Sequence, residues 1–463
     1  MKRIVNQFLG KCGKRASPVL VLCAATAIAL PAQVFTTLVN FNGANGSGPY
    51  FGSLVQGIDG NFYGETVGGG ANNFGTVFRF DAKGTLTTLH NFDETDGWDP
   101  VGGLVQATNG NFYGATDGAY GTIFEITPSG ALTTLHSFLG MDGSHPWAGL
   151  VQATDGRLYG TTGLGGSHNH GTIFSITPQS QFVSLHSFDL TDGSDPTAGL
   201  AEATNGNFYG TTLGGGADGN GTVFEMTPQG TLTAVLSFDA FDGGHPHGAL
   251  IQALDGNLYG TTTYGGAGAP AAQGTVFEIT TRGTLTTMYS FNVAGGCEPY
   301  DALVQATDGN FYGTTNQGGS YGWGTVFKIT PAGTLTTLHN FDSPIDGNFP
   351  YGGLLQGTDG DLYGTTYGGG AGGAGTVFRL SLGLGPFVKA LPATGKVGAV
   401  VRVLGTSLTG ATSVSFNGVA ASFTVNSSGT AISAVVPVGA TTGIVKVVTT
   451  GGTLSSNVPF RVL

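Results

Sequence analysis

The sequence predicts an all-β protein in which a seven-bladed β-propeller is closed by its N-terminal strand and followed by a β-sandwich. Three observations lead to this prediction: a strand-rich repeat with a period near fifty residues, complementary ends of the repeat array, and a C-terminal segment outside the repeat. The corresponding boundaries are 1–32 for a signal peptide, 33–383 for the propeller and 384–463 for the sandwich.

The repeat is defined by the segment Leu54-Val-Gln-Gly-Ile-Asp-Gly-Asn-Phe-Tyr-Gly64, which occurs seven times with small changes. Its first residues are separated by 50, 46, 50, 50, 53 and 51 positions. They are Leu54, Leu104, Leu150, Leu200, Leu250, Leu303 and Leu354. A period of this length with strand-like content is typical of propellers and other repeat arrays.

Each repeat contains four short strand candidates, which in the fourth repeat are 199–203, 207–212, 221–227 and 231–239. An Asn-Gly or Asp-Gly pair separates the first two candidates and suits a two-residue hairpin. The adjacent bulky residues Phe208 and Tyr209 point to opposite faces of their strand, so both faces of the sheet must be buried. Blades stacked between neighbouring blades meet this requirement better than a two-layer sandwich does.

The two ends of the array complement each other. The seventh repeat stops after its third strand candidate, 375–380, whereas the chain opens with an isolated fourth-strand sequence, Thr36-Thr-Leu-Val-Asn-Phe41. We expect this N-terminal strand to complete the last blade, because closing the ring removes exposed sheet edges.

Residues 1–32 have the pattern of a secretory signal, with five basic residues ahead of an apolar run from Pro18 to Leu30 and a cut expected after Ala32. This run is too short for a membrane-spanning helix. We therefore expect a secreted or cell-surface protein with no transmembrane segment in the mature chain, and we expect a monomer.

Charge and cysteine content exclude two further classes. Loss of the five cations of the signal changes the formal net charge from −12 to −17, and the basic residues that remain are scattered. Nucleic-acid binding needs clustered Lys and Arg, so it is excluded. Cys12 and Cys23 lie in the signal, which leaves Cys297 without a partner for a disulfide.

The repeat ceases after Gly383, and the tail has about six alternating strand runs between Gly and Pro turns, which indicates a β-sandwich. It carries, in order, 401–410, Val414-Ser-Phe-Asn-Gly-Val419 and Val436-Pro437. In this order of motifs the tail closely resembles the TIG (IPT) domain over nearly its whole length. The resemblance implies an immunoglobulin-like β-sandwich that acts as a spacer or carbohydrate-associated module and brings no catalytic residues.

The repeat region, from 35 to 381, resembles the GloVer (Gloeo/Verruco) tandem-repeat family of exported bacterial proteins. The motifs that carry the resemblance are Asp-Gly-Asn-Phe-Tyr-Gly, Gly-Thr-Val-Phe and Leu-Thr-Thr-Leu-His-Ser-Phe. The resemblance implies a surface or secreted protein and no assigned chemistry.

With the first strand of each repeat innermost, the loops between the second and third strands and the crossovers between repeats gather on one face, the long-loop face. All three tryptophans and five histidines fall there. Such rings suit the apolar C–H faces of sugars, although large side chains in loops often only pack against their neighbours. The candidate ligand-binding residues are Trp98, His145, Trp147, His168, His170, His245, His247, Tyr321 and Trp323.

Other recurrent polar residues are expected to be structural. The inner strands carry a glutamine in six repeats, which would satisfy backbone groups, and Glu202 in the remaining repeat is the one hint of acid chemistry. The strand histidines His90, His136, His186 and His339 share a position that is Val39 in another repeat, which is unsuited to a ligand. The Asp-Gly crossovers and His168-Asn-His170 lack metal-site spacing, so we predict no metal, no cofactor and no catalytic residue.

These patterns favour a binding module for extracellular carbohydrate, or another cell-surface component, on the long-loop face. One alternative is a polysaccharide hydrolase or lyase on a propeller scaffold, with Glu202 and a crossover aspartate as the acid pair. Another is a structural envelope or adhesion protein. The fold class is compatible with all three.

Overall fold

The structure is a computed structural model that describes residues 33–267 and 273–463. The signal peptide predicted at 1–32, with Cys12 and Cys23, lies outside the described residues. Within these two ranges the chain is all-β, and its one helix is the short 3-10 turn Val293–Gly295. No helix in them is long and apolar enough to cross a membrane.

Strand β1 (Val34–Asn40) opens the described chain, and one set of strands per repeat follows it. The first three sets are β2 (Val55–Gln56), β3 (Phe62–Thr66), β4 (Thr76–Phe80) and β5 (Leu86–Asn91); β6 (Pro100–Gln106), β7 (Phe112–Thr116), β8 (Thr122–Ile126) and β9 (Leu132–Ser137); and β10 (Val151–Gln152), β11 (Leu158–Thr162), β12 (Thr172–Ile176) and β13 (Phe182–Ser187).

The remaining repeats follow the same plan. Their strands are β14 (Ala201–Glu202), β15 (Phe208–Thr212), β16 (Thr222–Met226) and β17 (Leu232–Ser237); β18 (Ile251–Gln252), β19 (Leu258–Thr262), β20 (Thr275–Ile279) and β21 (Leu285–Ser290); β22 (Val304–Gln305), β23 (Phe311–Thr315), β24 (Thr325–Ile329) and β25 (Leu335–Asn340); and β26 (Leu355–Gln356), β27 (Leu362–Thr366) and β28 (Thr376–Ser381).

Each set forms an antiparallel four-stranded sheet in chain order, and the described residues contain seven such repeat sheets. In the last sheet the fourth strand is β1, which pairs antiparallel with β28 in a register that sets Thr36 opposite Arg379. The first and last repeats are therefore joined through the backbone of the N-terminal strand.

Neighbouring sheets pack face to face through a recurrent aromatic contact. Phe208 and Tyr209 are both at most 1% exposed, which satisfies the requirement that both faces of their strand be buried. The ring centroids of Tyr159 and Phe208 lie 4.3 Å apart across the third and fourth sheets, and those of Phe62 and Tyr363 lie 4.2 Å apart across the first and seventh. These contacts form the core between the sheets.

The tail consists of short strands in two larger sheets. Its strands are β29 (Val388–Leu391), β30 (Thr394–Gly395), β31 (Val400–Gly405), β32 (Ser413–Phe416), β33 (Val419–Ala420), β34 (Phe423–Val425), β35 (Ala431–Val435), β36 (Val445–Thr449), β37 (Gly452–Ser455) and β38 (Arg461–Val462). One sheet has the order β29-β31-β35-β34 and the other β33-β32-β36-β37, with a separate core that includes Val403, Phe416 and Phe460.

The tail contacts the repeats at their tight Asp-Gly turns. Thr430 Oγ1 donates to the carbonyl of Ile58 at 2.9 Å, and the backbone N–H of Phe387 donates to the carbonyl of Thr358 at 3.0 Å. The hydroxyls of Thr358 and Thr406 lie 3.0 Å apart. The tail therefore sits on the side of the repeat sheets that carries the short turns.

Candidate functional site

A circle of hydrogen bonds connects the inner strands of the seven repeat sheets. In each case a backbone N–H in the tight turn of one repeat donates to a side-chain oxygen on the inner strand of the next repeat. The pairs are Ile58 to Gln106, Thr108 to Gln152, Thr154 to Glu202, Thr204 to Gln252, Leu254 to Gln305, Thr307 to Gln356 and Thr358 to Gln56. The glutamines therefore satisfy backbone groups, as their repetition predicted.

Glu202 takes the place of a glutamine in this circle. Its Oε2 accepts from the backbone N–H of Thr154 at 3.1 Å, and its Oε1 accepts from the Thr154 hydroxyl at 2.7 Å. A glutamine such as Gln152 instead uses its amide to donate to the carbonyl of Gly156. Both carboxylate oxygens of Glu202 are thus engaged in holding two repeats together.

The strand histidines are held by carboxylates of the crossovers. His90 Nε2 lies 2.7 Å from Asp96 Oδ2, and His339 Nε2 lies 2.7 Å from Asp346 Oδ2. The same arrangement recurs at His136 and His186. These histidines fix the start of four crossovers, which agrees with a structural role.

The inner strands surround a cavity of about 720 Å³, here called the central cavity. Six crossovers each contribute to its lining the residue that directly follows a proline. These residues are Tyr50, Val101, Trp147, Thr197, His247 and Tyr300. A volume in this range is typical of sites for small molecules and short oligomers.

A strained backbone position precedes each of these prolines. The residue before the proline has a positive φ in every crossover, for example 55° at Asp99, 58° at His145 and 54° at His245. Such angles are uncommon for residues other than glycine and are maintained only where the surrounding structure imposes them. The chain thus reverses at a defined point, immediately before the residue that reaches the cavity.

Aromatic rings concentrate on one side of the cavity, in a group here called the mouth cluster: Tyr50, Phe51, His247 and Tyr300 line the cavity, and Tyr351 packs against them. Ring centroids lie 4.8 Å apart for Tyr50 and Tyr351, 5.1 Å for Tyr300 and Tyr351, and 4.8 Å for His247 and Tyr300. Phe51 packs on Tyr50 at 3.9 Å. Crossovers of four repeats thereby build one continuous aromatic surface.

Burial sets the protonation of this surface. It raises the pKa of Tyr50 to about 12 and also raises that of Tyr300. It lowers the pKa of His247 to about 4, with a smaller contribution from His245. At neutral pH the mouth cluster therefore presents neutral rings, with phenol hydroxyls that can donate hydrogen bonds.

Two carboxylates also line the cavity, and both already have partners. Asp117 Oδ1 lies 2.8 Å from His145 Nδ1. Asp301 accepts from the backbone N–H groups of Ala302 and Gly353, each at 2.6 Å, while burial raises its pKa to about 6. Both side chains are thus engaged in positioning the crossovers.

Of the nine predicted binding residues, Trp147 and His247 line the central cavity. His145 lies directly behind Trp147, with ring centroids 5.5 Å apart, and His245 packs on Tyr264. Trp98 covers Gly118 so closely that an added Cβ would clash with the indole. These contacts place Trp98, His145 and His245 against neighbouring loop residues, outside the cavity lining.

The other four predicted residues are not among those that line the cavity. His168 is exposed beside Ser167, and His170 lies near the Asp195 carboxylate. Tyr321 is 59% exposed, and Trp323 packs edge-on against Phe349. The structure therefore separates these residues from the cavity, although they share its face of the chain.

The mouth residues Tyr50, Phe51, Tyr300 and Tyr351 were missed because tyrosine and phenylalanine are common throughout the repeats. Aligning the crossovers on their prolines would have identified them, since the position after the proline is aromatic or histidine in five repeats. Within residues 33–267 and 273–463, no group of three or more His, Cys, Asp or Glu side chains could hold a metal ion. Cys297 is free and buried, and burial raises its pKa to about 11.

Solved structures with a similar fold include extracellular domains. The extracellular domain of a hybrid two-component system from B. thetaiotaomicron has 12% identity and a TM-score of 0.52, with 91% of this chain and 54% of that chain covered. A second such domain from B. thetaiotaomicron has 15% identity and a TM-score of 0.50, with 93% and 59% covered. The chain thus spans little more than half the length of these domains.

A fungal alcohol oxidase of the AA5 family, solved with copper, has 13% identity and a TM-score of 0.53, with 90% of this chain and 98% of that chain covered. At such identities the similarity concerns the fold alone. It defines the class of the protein as an all-β, propeller-like repeat protein built from four-stranded antiparallel sheets.

Sequence comparison gives the family within this class. The model of the Gloeobacter/Verrucomicrobia repeat matches residues 25–119, 116–305 and 267–430. Since these matches cover most of the chain, the protein belongs to the Gloeobacter/Verrucomicrobia repeat family, as the motifs of the repeat predicted. No curated protein shows significant sequence similarity to it.

Proposed function

We propose that the protein is a non-enzymatic exported binding module that takes extracellular carbohydrate at the mouth of the central cavity. The observation that carries this proposal is the mouth cluster, which sets five aromatic or imidazole rings beside a cavity of about 720 Å³. Sugar rings combine apolar C–H faces with hydroxyl edges, and tyrosine matches both with its ring and its hydroxyl.

The architecture that we infer for this role is a seven-bladed propeller spanning 33–383 and closed by β1. Support comes from the seven repeat sheets, the pairing of β1 with β28 and the circle of hydrogen bonds that returns from Thr358 to Gln56. For 384–463 we infer a TIG/IPT immunoglobulin-like sandwich, supported by two sheets around a separate core.

Export is inferred from the signal pattern at 1–32 and from the extracellular domains among the structural neighbours. A secreted or surface-located module would meet glycans of its own cell envelope or of its surroundings. The engagement of both Glu202 oxygens within the inner circle disfavours the hydrolase or lyase alternative, because a general acid needs a free proton-transfer path.

The test is a glycan-array screen of residues 33–463, run with and without EDTA and followed by titration calorimetry and product analysis on each hit. Tyr300→Ala removes a mouth-cluster ring, and Tyr321→Ala serves as its matched control because Tyr321 is exposed and lies outside the cavity lining. We expect binding without turnover that is weakened at least about tenfold by Tyr300→Ala and unchanged by Tyr321→Ala.

Three results would contradict the proposal. Shortened glycan products would favour the enzyme alternative. No binding to any glycan on a broad array would favour a structural or protein-binding role. Equal loss of binding in the two tyrosine variants would place the binding surface elsewhere on the long-loop face. Sensitivity to EDTA would add a requirement for a metal that the described residues do not suggest.

A further inference from the structure

The tail contributes a lysine to the central cavity. In β29 the side chains of Val388 and Ala390 are buried in the tail core, whereas Lys389 and Leu391 alternate with them and line the cavity. Because successive side chains of a strand point to opposite faces, this strand turns one face into the tail and the other toward the repeats. The tail therefore forms part of the cavity wall.

Lys389 has no charged partner in the part of the chain that the structure describes. Among the residues that the structure describes, it is the only Lys or Arg that lines the central cavity, and no carboxylate lies within ion-pair distance of it. The cavity acids Asp117 and Asp301 are occupied by His145 and by two backbone N–H groups. Nothing in the cavity neutralises the ammonium group.

Lys389 also borders an adjoining cleft of about 650 Å³ between the tail and the tight turns of the repeats. The charged residues of this cleft are Asp255 and Arg461. The Asp255 carboxylate accepts hydrogen bonds from the Tyr259 hydroxyl, at 2.6 Å, and from the backbone N–H of Asn257. Arg461 adds positive charge, so this cleft offers Lys389 no counterion either.

The ammonium group of Lys389 is accessible to a ligand. Lys389 is exposed and borders both the central cavity and the adjoining cleft, and the surrounding protein lowers its pKa through desolvation. Hydrogen bonds between an ammonium group and an anion are stronger than those between neutral groups. A ligand that enters the cavity therefore gains most if it presents an anionic group to Lys389.

We propose that the central cavity takes an anionic saccharide, whose carboxylate or sulfate group pairs with Lys389 while its sugar rings lie against the mouth cluster. This inference rests on the proposed carbohydrate-binding function and specifies its ligand class. Because the cation belongs to the tail and the rings belong to the repeats, the ligand contacts both parts of the chain. Binding is then coupled to the attachment of the tail.

The experiment compares trigalacturonate with its methyl ester, in which each carboxylate is masked and the sugar rings are retained. Calorimetry is carried out on residues 33–463, on Lys389→Met, on the charge-retaining Lys389→Arg, and on Lys446→Met as a control at an exposed tail lysine. A sulfated galactose trisaccharide distinguishes a sulfate from a carboxylate preference. Thermal unfolding of each variant establishes that it is folded.

We expect the acid to bind at least about tenfold more tightly than the ester, since a hydrogen bond between two charged groups is stronger than one to a neutral group. Lys389→Met should abolish this difference by weakening binding of the acid to the level of the ester. Lys389→Arg should retain most of it, and Lys446→Met all of it. Either charged trisaccharide would satisfy the inference, and their ratio identifies the anion.

Equal affinities for the acid, the ester and the sulfated trisaccharide would overturn the inference and leave the proposed function intact. If none of the trisaccharides binds, NMR of the lysine ε-methylene groups during titration with galacturonate tests directly whether Lys389 binds an anion. A shift confined to Lys389 would support an anion site even if the proposed function fails. No shift at Lys389 would overturn the inference regardless of the array result.

Discussion

The backbone N–H of Thr358 donates to Gln56 Oε1 at 3.0 Å, and this bond joins positions 302 residues apart in the chain. It is the bond that returns the inner circle from the seventh repeat to the first. Together with the pairing of β1 and β28, it gives the first and last repeats contacts like those between consecutive repeats.

Gln56→Ala should destabilise the protein by about 1–2 kcal/mol, because the buried N–H of Thr358 loses its acceptor. The measurement is urea unfolding followed by tyrosine fluorescence. Gln56→Glu is the matched control, since Glu202 fills the same role in another repeat and its carboxylate still accepts this bond. Equal losses in the two variants would mean that the hydrogen bond is not the cause.

Deletion of residues 34–42 should impair cooperative unfolding of the repeat region. The deletion removes β1 and leaves β28 as an open edge strand in a three-stranded sheet. We expect a lower denaturation midpoint and a shallower transition by circular dichroism. An unaltered transition would indicate that the repeats behave as an open array whose ends are independent.

Glu202→Gln should leave stability within about 0.5 kcal/mol and leave ligand binding unchanged, because a glutamine oxygen can still accept from the Thr154 N–H. Six other repeats already use glutamine at this position. Chemical denaturation and product analysis with the glycans that bind provide the readouts. Selective loss of turnover in this variant would establish acid catalysis at Glu202.

Acidification should destabilise the fold through His247. Its pKa falls from 6.5 to about 4 on folding, so the unfolded chain takes up the proton more readily and stability is lost as the pH drops from 6.5 toward 4. Asp301 acts in the opposite direction, since its pKa is raised to about 6 and its contribution is lost as the pH rises through that value.

The two effects are separated by measuring Tm at pH 7 and pH 4.5 for the wild type and His247→Gln. The variant should show a smaller decrease on acidification. His168→Gln, at an exposed histidine of the same face, should decrease as the wild type does. A His247→Gln protein with the full wild-type decrease would disprove the role of His247.

Trp98→Ala should destabilise the protein more than Trp323→Ala does, and neither variant should change ligand binding. Trp98 covers Gly118, so its removal should cost about 1–3 kcal/mol, less than for a fully buried tryptophan. Trp323 is 37% exposed and should cost less. Neither lines the cavity, so both should bind a glycan ligand like the wild type, whereas Trp147→Ala should not. Weakened binding in Trp323→Ala would extend the site to the second-to-third-strand loops.

The repeat sheets were predictable from the sequence because their signals are local. Asp-Gly turns determine hairpins within a few residues, and the adjacent pair Phe208 and Tyr209 indicates burial on both faces of a strand. The glutamine circle was predictable for the same reason, since one polar residue recurs at one inner-strand position.

The cavity lining was less predictable, because it depends more on the direction in which a loop side chain points than on the residue type. Trp98 and Trp147 both lie in crossovers, yet Trp147, which directly follows a proline, lines the cavity, whereas Trp98, which precedes the left-handed residue Asp99, does not. The position of Lys389 at the cavity could not be predicted from nearby residues. Its exposure to the cavity follows from how the tail rests on the repeats, which no short sequence pattern encodes.

In each crossover, the residue with a positive φ and the proline shape the backbone, and the residue that follows them is available for ligand binding. The residue before the proline has a positive φ in every repeat, while the residue after the proline ranges from Val101 to Trp147 to His247. One position per repeat can therefore be exchanged without rebuilding the scaffold around it. Libraries restricted to these seven positions would be a direct way to give the same ring new ligands.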